Sequence, residues 1–215
     1  MAAHKRGKFI VFEGAEGAGK GENLRMLKKK YGHCTEFSRE PGGTALAEAV
    51  RDLLFSDLGK VANAQTQFHL YFAGRADHLV RIRRVIESGR NYVSDRFDLS
   101  TFAYQIRGLN NPELYQLFHH TRNVICHGIM PDYYIYLDVD IETGLKRAQQ
   151  RGDGNFWDEA SIDLHRRVKD GAFEFLNSLQ SQVDGHPSYY KIDANRPLKN
   201  VKRSVDRVFR KLIEA

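Results

Sequence analysis

The chain reads as a parallel α/β fold, and three features of its sequence predict this. Short apolar runs alternate with longer stretches of helical periodicity, the pattern that gives a parallel sheet covered by helices on both faces. A glycine-rich segment, Gly14-Ala15-Glu16-Gly17-Ala18-Gly19-Lys20-Gly21, directly follows the apolar run Phe9-Ile10-Val11-Phe12. Charged clusters recur just after later apolar runs, where ligands collect in sheets of this kind.

Taken in order, Lys8–Phe12 is the first buried strand and Asn23–Lys30 the helix behind the glycine loop. Cys34–Ser38 is a second strand, ended by the turn residues Arg39-Glu40-Pro41-Gly42-Gly43. Ala45–Phe55 has helical spacing. A long amphipathic helix then runs from Gln65 to Ser88 through Phe68, Tyr71, Phe72, Leu79, Ile82 and Ile86, closed by Gly89. Tyr92–Asp95 is a third strand, Ser100–Arg107 a short helix, and Glu113–His127 a helix placed after Pro112. Tyr133–Val139 is the clearest later strand. Ile141–Gln150 is helical, Arg151–Asp158 a polar loop containing glycine, and Glu159–Gln182 another long helix. Tyr189–Ile192 is the last strand and Leu198–Ile213 the closing helix.

A length of 215 residues suits one well-buried α/β core better than two. No internal repeat, low-complexity tract or Pro/Ser-rich linker interrupts it, so the expectation is one domain over 1–215. No apolar run approaches membrane-spanning length, and Met1-Ala2-Ala3-His4-Lys5-Arg6 lacks the hydrophobic segment of a secretory signal. Cys34 and Cys126 are too few and too scattered for a disulfide framework or zinc site. Together these make a reducing cytoplasm, with no membrane partner, the expectation. The net charge of +6 suits an anionic ligand and equally a generic basic surface. No basic stripe interleaved with aromatics argues for nucleic acid.

The glycine segment fits G-x-x-x-x-G-K-[ST] at every position but the last. A strand, a glycine turn and a helix start form a nest of backbone N–H groups around a polyphosphate. The helix N-terminus adds partial positive charge and the lysine a full one. Gly21 stands where a hydroxyl residue normally ligates magnesium, and Glu22 follows it. Two outcomes remain open: magnesium held by phosphate oxygens, water and a nearby carboxylate, or weakened catalysis. The loop, Arg39–Gly43 and Asp95-Arg96 all fall at strand ends that share one edge in a parallel sheet, so they converge on one cleft with several arginines aimed at anions.

The glycine segment, Arg39-Glu40-Pro41-Gly42-Gly43-Thr44 and the run Asp95-Arg96-Phe97-Asp98-Leu99-Ser100-Thr101-Phe102-Ala103-Tyr104-Gln105 together resemble the thymidylate kinase family. Tyr136-Leu137-Asp138-Val139, Gly144-Leu145-Lys146-Arg147, Arg151-Gly152 and Ile192-Asp193-Ala194 extend the resemblance over nearly the whole chain. The resemblance implies a P-loop kinase fold with a five-stranded parallel sheet, a lid at about 150–158, transfer of the γ-phosphate of ATP to dTMP with Mg²⁺, and a homodimer.

Residue by residue, it implies that Gly14, Ala15, Glu16, Gly17, Ala18, Gly19, Lys20, Gly21 and Glu22 surround the ATP phosphates. Arg39 and Arg96 grip the dTMP phosphate, a task suited to a guanidinium fork. Arg75 meets the thymine edge, and Tyr71, one helical turn earlier, takes the place of a stacking Phe; on periodicity alone, core packing explains Tyr71 as well. Thr101 contacts the pyrimidine, Tyr104 the deoxyribose with Ser100 and Gln105 nearby, and Glu16 the sugar or an ion. Glu40-Pro41 is a candidate cis peptide. Asp95 is preferred over Asp138 as the magnesium carboxylate, because it adjoins Arg96.

With glycine at position 17, the resemblance assigns the catalytic arginine to the lid, from Arg147 or Arg151, alongside Lys20 and Arg96. Phe156 stands where the family's lid usually has another arginine. Three readings therefore stand: an active kinase of dTMP, a relative acting on another deoxynucleoside monophosphate, and a nucleotide-binding homologue of little activity, motivated by Gly21 and Phe156. A GTPase is disfavoured by the lack of an Asn-Lys-x-Asp guanine signature.

Overall fold

A computed structural model describes residues 5–151, 157, 160–179, 182–183 and 186–214, with the side chains of Arg151, 182–183 and 186–187 excepted. The chain begins with β1 (Phe9–Gly14), α1 (Lys20–Tyr31), β2 (Thr35–Arg39), α2 (Ala45–Phe55), α3 (Asp57–Val61), α4 (Ala64–Glu87) and β3 (Asn91–Asp95). It continues with α5 (Asp98–Thr101), which runs into a π-helical stretch at Phe102–Gly108, then α6 (Leu114–Cys126), β4 (Tyr133–Asp138) and α7 (Ile141–Arg151). α8 (Ile162–Ser178), β5 (Gln182–Val183), β6 (His186–Pro187), β7 (Tyr189–Asp193) and α9 (Leu198–Glu214) complete it. Five strands form one parallel sheet in the order β2-β3-β1-β4-β7, while β5 and β6 pair antiparallel.

Successive side chains of a strand point to opposite faces, and β1 shows how that builds two cores. Phe9 and Val11 pack on one face with Phe68 and Phe72 of α4, Phe118 of α6 and Phe175 of α8. Ile10 and Phe12 pack on the other with Leu27 of α1 and Val205 and Phe209 of α9. Being buried on both sides, β1 opens with a continuous apolar run, Phe9-Ile10-Val11-Phe12, rather than an alternating one. α9 shows the complementary pattern: Val201, Val205, Phe209 and Leu212 are its buried residues, at spacings of four, four and three.

Most predicted elements lie within three residues of the observed ones, and four differences are instructive. α8 is shorter at both ends than the expected Glu159–Gln182. The Ser161 side chain caps its first turn by accepting from the Leu164 N–H, and the backbone turns extended at Leu179. α3 was not expected; Ser56 caps it, accepting from the Gly59 N–H, and five residues are too few for a periodic signal. The pair β5–β6 was missed for the same reason. The short helix after β3 widens because Leu109 and Asn111 donate to carbonyls five residues back, those of Tyr104 and Ile106.

Candidate active site

The carboxyl ends of β1 and β3 and the loops after β2 and β3 open on a cavity of about 800 Å³. At one end of it is the glycine-rich loop. Gly17 has φ +68, and a Cβ there would stand 1.9 Å from the Gly144 carbonyl oxygen at the start of α7. Only glycine combines this left-handed backbone with so close an approach. Lys20 is buried; its ammonium donates to the carbonyls of Gly14 (2.7 Å) and Ala15 (3.2 Å). Burial, and then the charge of Arg96, pull its pKa down. Residues 16 to 22 line the cavity, while Gly14 and Ala15 contribute the carbonyls beneath the lysine. Glu22 also holds ion pairs with Arg25 and Lys202.

Beyond the loop stands Arg96, the first residue past β3 and one step out of the sheet, at φ +69. Its guanidinium donates to Glu16 Oε1 (2.5 Å) and Ser100 Oγ (3.0 Å) and lies over the Tyr104 ring. The Tyr104 hydroxyl donates to the same Glu16 oxygen at 3.1 Å. Burial opposes the charge on Arg96, but Tyr104, Glu16, Glu13 and Asp95 outweigh it and raise its pKa further.

A second arginine enters from α4. Arg75 is 2 % exposed, donates from Nε to Glu40 (2.8 Å) and from Nη2 to Thr101 (2.9 Å), and is sandwiched by the rings of Phe72 and Phe97. Its Nη1 has no partner among the described residues, and the same holds for Gln105 Nε2. Both residues line the cavity. The Glu40 carboxylate is held from its other side by His78 at 3.0 Å, and the Glu40–Pro41 peptide is cis. Tyr71, Ser100, Thr101 and Tyr104 complete this wall.

The expected convergence is present: Lys20, Glu40-Pro41 and Asp95-Arg96 face one cavity. Arg39 itself does not. Its guanidinium pairs with Glu48 at 2.7 Å and lines an adjoining groove, because the strand end turns its side chain outward. The inward place belongs to Arg51 of α2, which donates to the Pro41 carbonyl at 3.0 Å and lies over Phe55. Burial, and then Arg39 nearby, pull the Arg51 pKa down. Sequence reasoning missed Arg51, although a signal existed: it sits four residues after buried Ala47 and three before buried Leu54, on the apolar face of its helix.

Trp157 was also missed as a site residue. It is buried, packs edge-on against Tyr104 with ring centroids 5.0 Å apart, and lines the cavity. Of the lid candidates, Arg147 lines the cavity and donates to the carbonyls of Ala194 (2.8 Å) and Asn195 (3.4 Å). The Arg151 side chain and Phe156 lie outside the described residues.

Asp95 ends β3 and lines the cavity; its buried Oδ1 has no partner among the described residues. Asp138 instead faces Lys169 at 2.8 Å. No group of three or more His, Cys, Asp or Glu among the described residues could cage a metal. Magnesium asks for less than a cage, using one or two carboxylates with phosphate oxygens and waters, so a single free carboxylate oxygen beside the phosphate loop fits it.

A loop shaped for a polyphosphate and a wall of arginines share this cavity, so one phosphorylated ligand can hand a group to another. That pairing, on this sheet, defines a P-loop kinase. Comparison with known proteins narrows the class. The family model for thymidylate kinase matches residues 12–205. The thymidylate kinase of Nitrosospira multiformis is 36% identical over 208 residues, covering 94% of this chain and 96% of that one. That of Pseudomonas fluorescens Pf-5 is 35% identical, covering 97% of each. The crystal structure of thymidylate kinase from Ehrlichia chaffeensis superposes with a TM-score of 0.71 at 26% identity, over 95% of this chain and 99% of that one. The chain belongs to the thymidylate kinase family and is a kinase.

Proposed function

We propose that the chain transfers the γ-phosphoryl group of ATP to dTMP. An oxygen of the dTMP phosphate attacks the γ-phosphorus, the bond to the β,γ-bridging oxygen breaks, and ADP and dTDP leave. The observation that carries this reading is the pair of unpartnered N–H donors, Arg75 Nη1 and Gln105 Nε2, buried in the wall of the cavity that holds Lys20. Buried donors without acceptors are costly, and the carbonyl oxygens of a thymine ring satisfy them.

In this reading Lys20 and the amides of Gly17–Gly21 hold the donor phosphates. Arg96 and Arg51 hold the acceptor phosphate, with Arg39 in the adjoining groove. Tyr71 and Thr101 flank the base, Tyr104 and Ser100 the sugar, and Glu16 orients both Arg96 and Tyr104. Arg147 and Arg151, on the helix leading into the lid, neutralise charge on the transferring group. Mg²⁺, held by Asp95 with phosphate oxygens and water, supplies further charge neutralisation when bound. Positioning and charge stabilisation carry the catalysis, so no strong general base is required.

The proposal extends to a single domain with its lid near 150–158, a cytoplasmic location and a homodimer. Among the described residues no helix is long and apolar enough to cross a membrane. Exposed Leu46 of α2, Val80 of α4 and Val124 of α6 supply apolar surface for self-association, which light scattering tests.

An ADP-release assay with dTMP, dUMP, dCMP and the purine monophosphates decides the chemistry. The expected result is turnover with dTMP at an ordinary kinase rate, on the order of 1–100 s⁻¹, and far weaker signals elsewhere. A preference for dUMP or dCMP, or no turnover with any acceptor, would overturn the proposal.

A further inference from the structure

The phosphate loop is preceded by a carboxylate that none of the roles above uses. Glu13, on β1 opposite Tyr136 of β4, is fully buried. Its Oε1 accepts from the backbone N–H of Phe97 (2.9 Å) and of Ser100 (3.2 Å). Its Oε2 accepts from the Ser100 hydroxyl at 2.7 Å. That hydroxyl oxygen in turn accepts from Arg96 Nη1 at 3.0 Å. An unbroken relay therefore runs from Glu13 through Ser100 to the Arg96 guanidinium.

The backbone between them needs such a hold. Arg96 sits at φ +69, a left-handed conformation that costs a non-glycine residue roughly 1–2 kcal/mol. Its N–H donates to the Phe12 carbonyl (2.8 Å), and its carbonyl accepts from the Ser94 hydroxyl (2.7 Å). Phe97, at the start of α5, offers no side-chain cap. Glu13 reaches across from β1 and takes the first amides instead, where a carboxylate is favoured. The charged groups facing Glu13 are Arg96 and Lys20 of α1, and on the neighbouring strand stands the neutral phenol of Tyr136, its pKa raised by burial.

We propose that Glu13 is a positioning residue of the acceptor side. It fixes the turn Phe97–Ser100 and, through the Ser100 hydroxyl, sets the angle at which the Arg96 guanidinium meets the acceptor phosphate. The inference rests on the reading of Arg96 given above. Glu13 touches neither nucleotide in this scheme; its effect passes through Ser100 and Arg96. In Glu13→Gln the amide group facing Ser100 donates where the carboxylate accepted. The serine proton then loses its acceptor, and the serine oxygen is shared between two donors.

The test is calorimetric titration of the full chain with dTMP and, separately, with ADP, at a pH well above 7 so that Glu13 is ionised. Wild type, Glu13→Gln, Ser100→Ala and the double variant are compared. The expected result is dTMP affinity weakened about tenfold in each single variant, the scale of one charge-assisted hydrogen bond, with ADP affinity changed less than about twofold. The double variant should be little worse than Glu13→Gln, because residues on one relay are not additive. Unchanged dTMP affinity, equal losses for both nucleotides, or additive losses would overturn the proposal. If Glu13→Gln does not fold, Glu13→Asp, which keeps the charge but shortens the reach to the Ser100 hydroxyl, is titrated in its place and read by the same split between nucleotides. A wild-type chain that binds no dTMP sinks the acceptor reading and this inference with it. Binding by wild type with unaltered variants sinks the inference alone.

Discussion

Gly17 and Gly144 meet backbone to backbone, so that the phosphate loop and the first turn of α7 leave no room for a side chain between them. A Cβ on Gly17 would lie 1.9 Å from the Gly144 carbonyl oxygen, and one on Gly144 would lie 2.5 Å from the Glu16 carbonyl oxygen. The contact joins the glycine-rich loop to the helix that carries Arg147 and ends at Arg151. An arginine cannot be supplied from position 17 without parting these two segments. Gly17→Arg is expected to lower stability by about 2–4 kcal/mol and to abolish most activity. Thermal denaturation and turnover check it, and a variant as stable and active as wild type would show that the two segments part freely.

Gly21 offers the opposite situation. A Cβ there has nothing within 4 Å, and its φ lies outside the left-handed region. Gly21→Ser should therefore fold normally, hold or raise kcat, and reach half-maximal rate at lower magnesium, since a hydroxyl there would offer magnesium a further ligand. Magnesium titrations of the steady-state rate measure this. A large loss of activity would mean that the loop holds its ligand differently.

Arg51, rather than Arg39, faces the cavity. Arg51→Ala should raise KM for dTMP by about tenfold to a hundredfold while leaving KM for ATP within about twofold. Arg39→Ala should have the smaller effect, because its guanidinium is already paired with Glu48. The reverse ranking would return the acceptor grip to Arg39.

Arg151→Ala should lower kcat far more than it weakens dTMP binding, the signature of a group engaged in the transition state. Steady-state kinetics beside a direct dTMP titration separate the two. Wild-type kinetics in the variant would remove Arg151 from the mechanism.

Burial pushes the Glu13 carboxyl up to about 7 from 4.5, against the opposing effects of Arg96, its hydrogen bonds from Ser100 and Phe97, and Lys20. Between those two values the folded chain holds a proton that the unfolded chain has lost. The contribution of this group to stability therefore falls as pH rises through the window, by on the order of 3 kcal/mol in full. Relative to wild type, Glu13→Gln should gain stability as pH is raised from 5 to about 7.5. Urea unfolding at the two ends measures the difference. A pH-independent gap between the two proteins would place the Glu13 titration elsewhere.

How much of this was legible in the sequence depended on whether a feature was local. The sheet strands and the long helices announced themselves because each carries its own period, as the run at Tyr133–Asp138 and the spacing of Val201, Val205, Phe209 and Leu212 show. The convergence of Lys20, Glu40 and Arg96 followed from one topological fact, that parallel strands share a carboxyl edge. What escaped was set by direction rather than position. Arg39 and Arg51 both lie close to that edge, and only the turn at the end of β2 decides which guanidinium points inward. Glu13 escaped because its three donors lie 84 and 87 residues away, on a turn with no period of its own. Trp157 escaped because a polar, glycine-containing segment gives no sign that its one indole is buried.

That indole has a practical consequence. Trp157 is the sole tryptophan of the chain, and it rests on Tyr104 in the cavity wall. Excited at the red edge of its absorption, where the ten tyrosines contribute little, its emission is an optical gauge of the pocket with no background from another tryptophan, suited to following nucleotide arrival in real time on unlabelled protein.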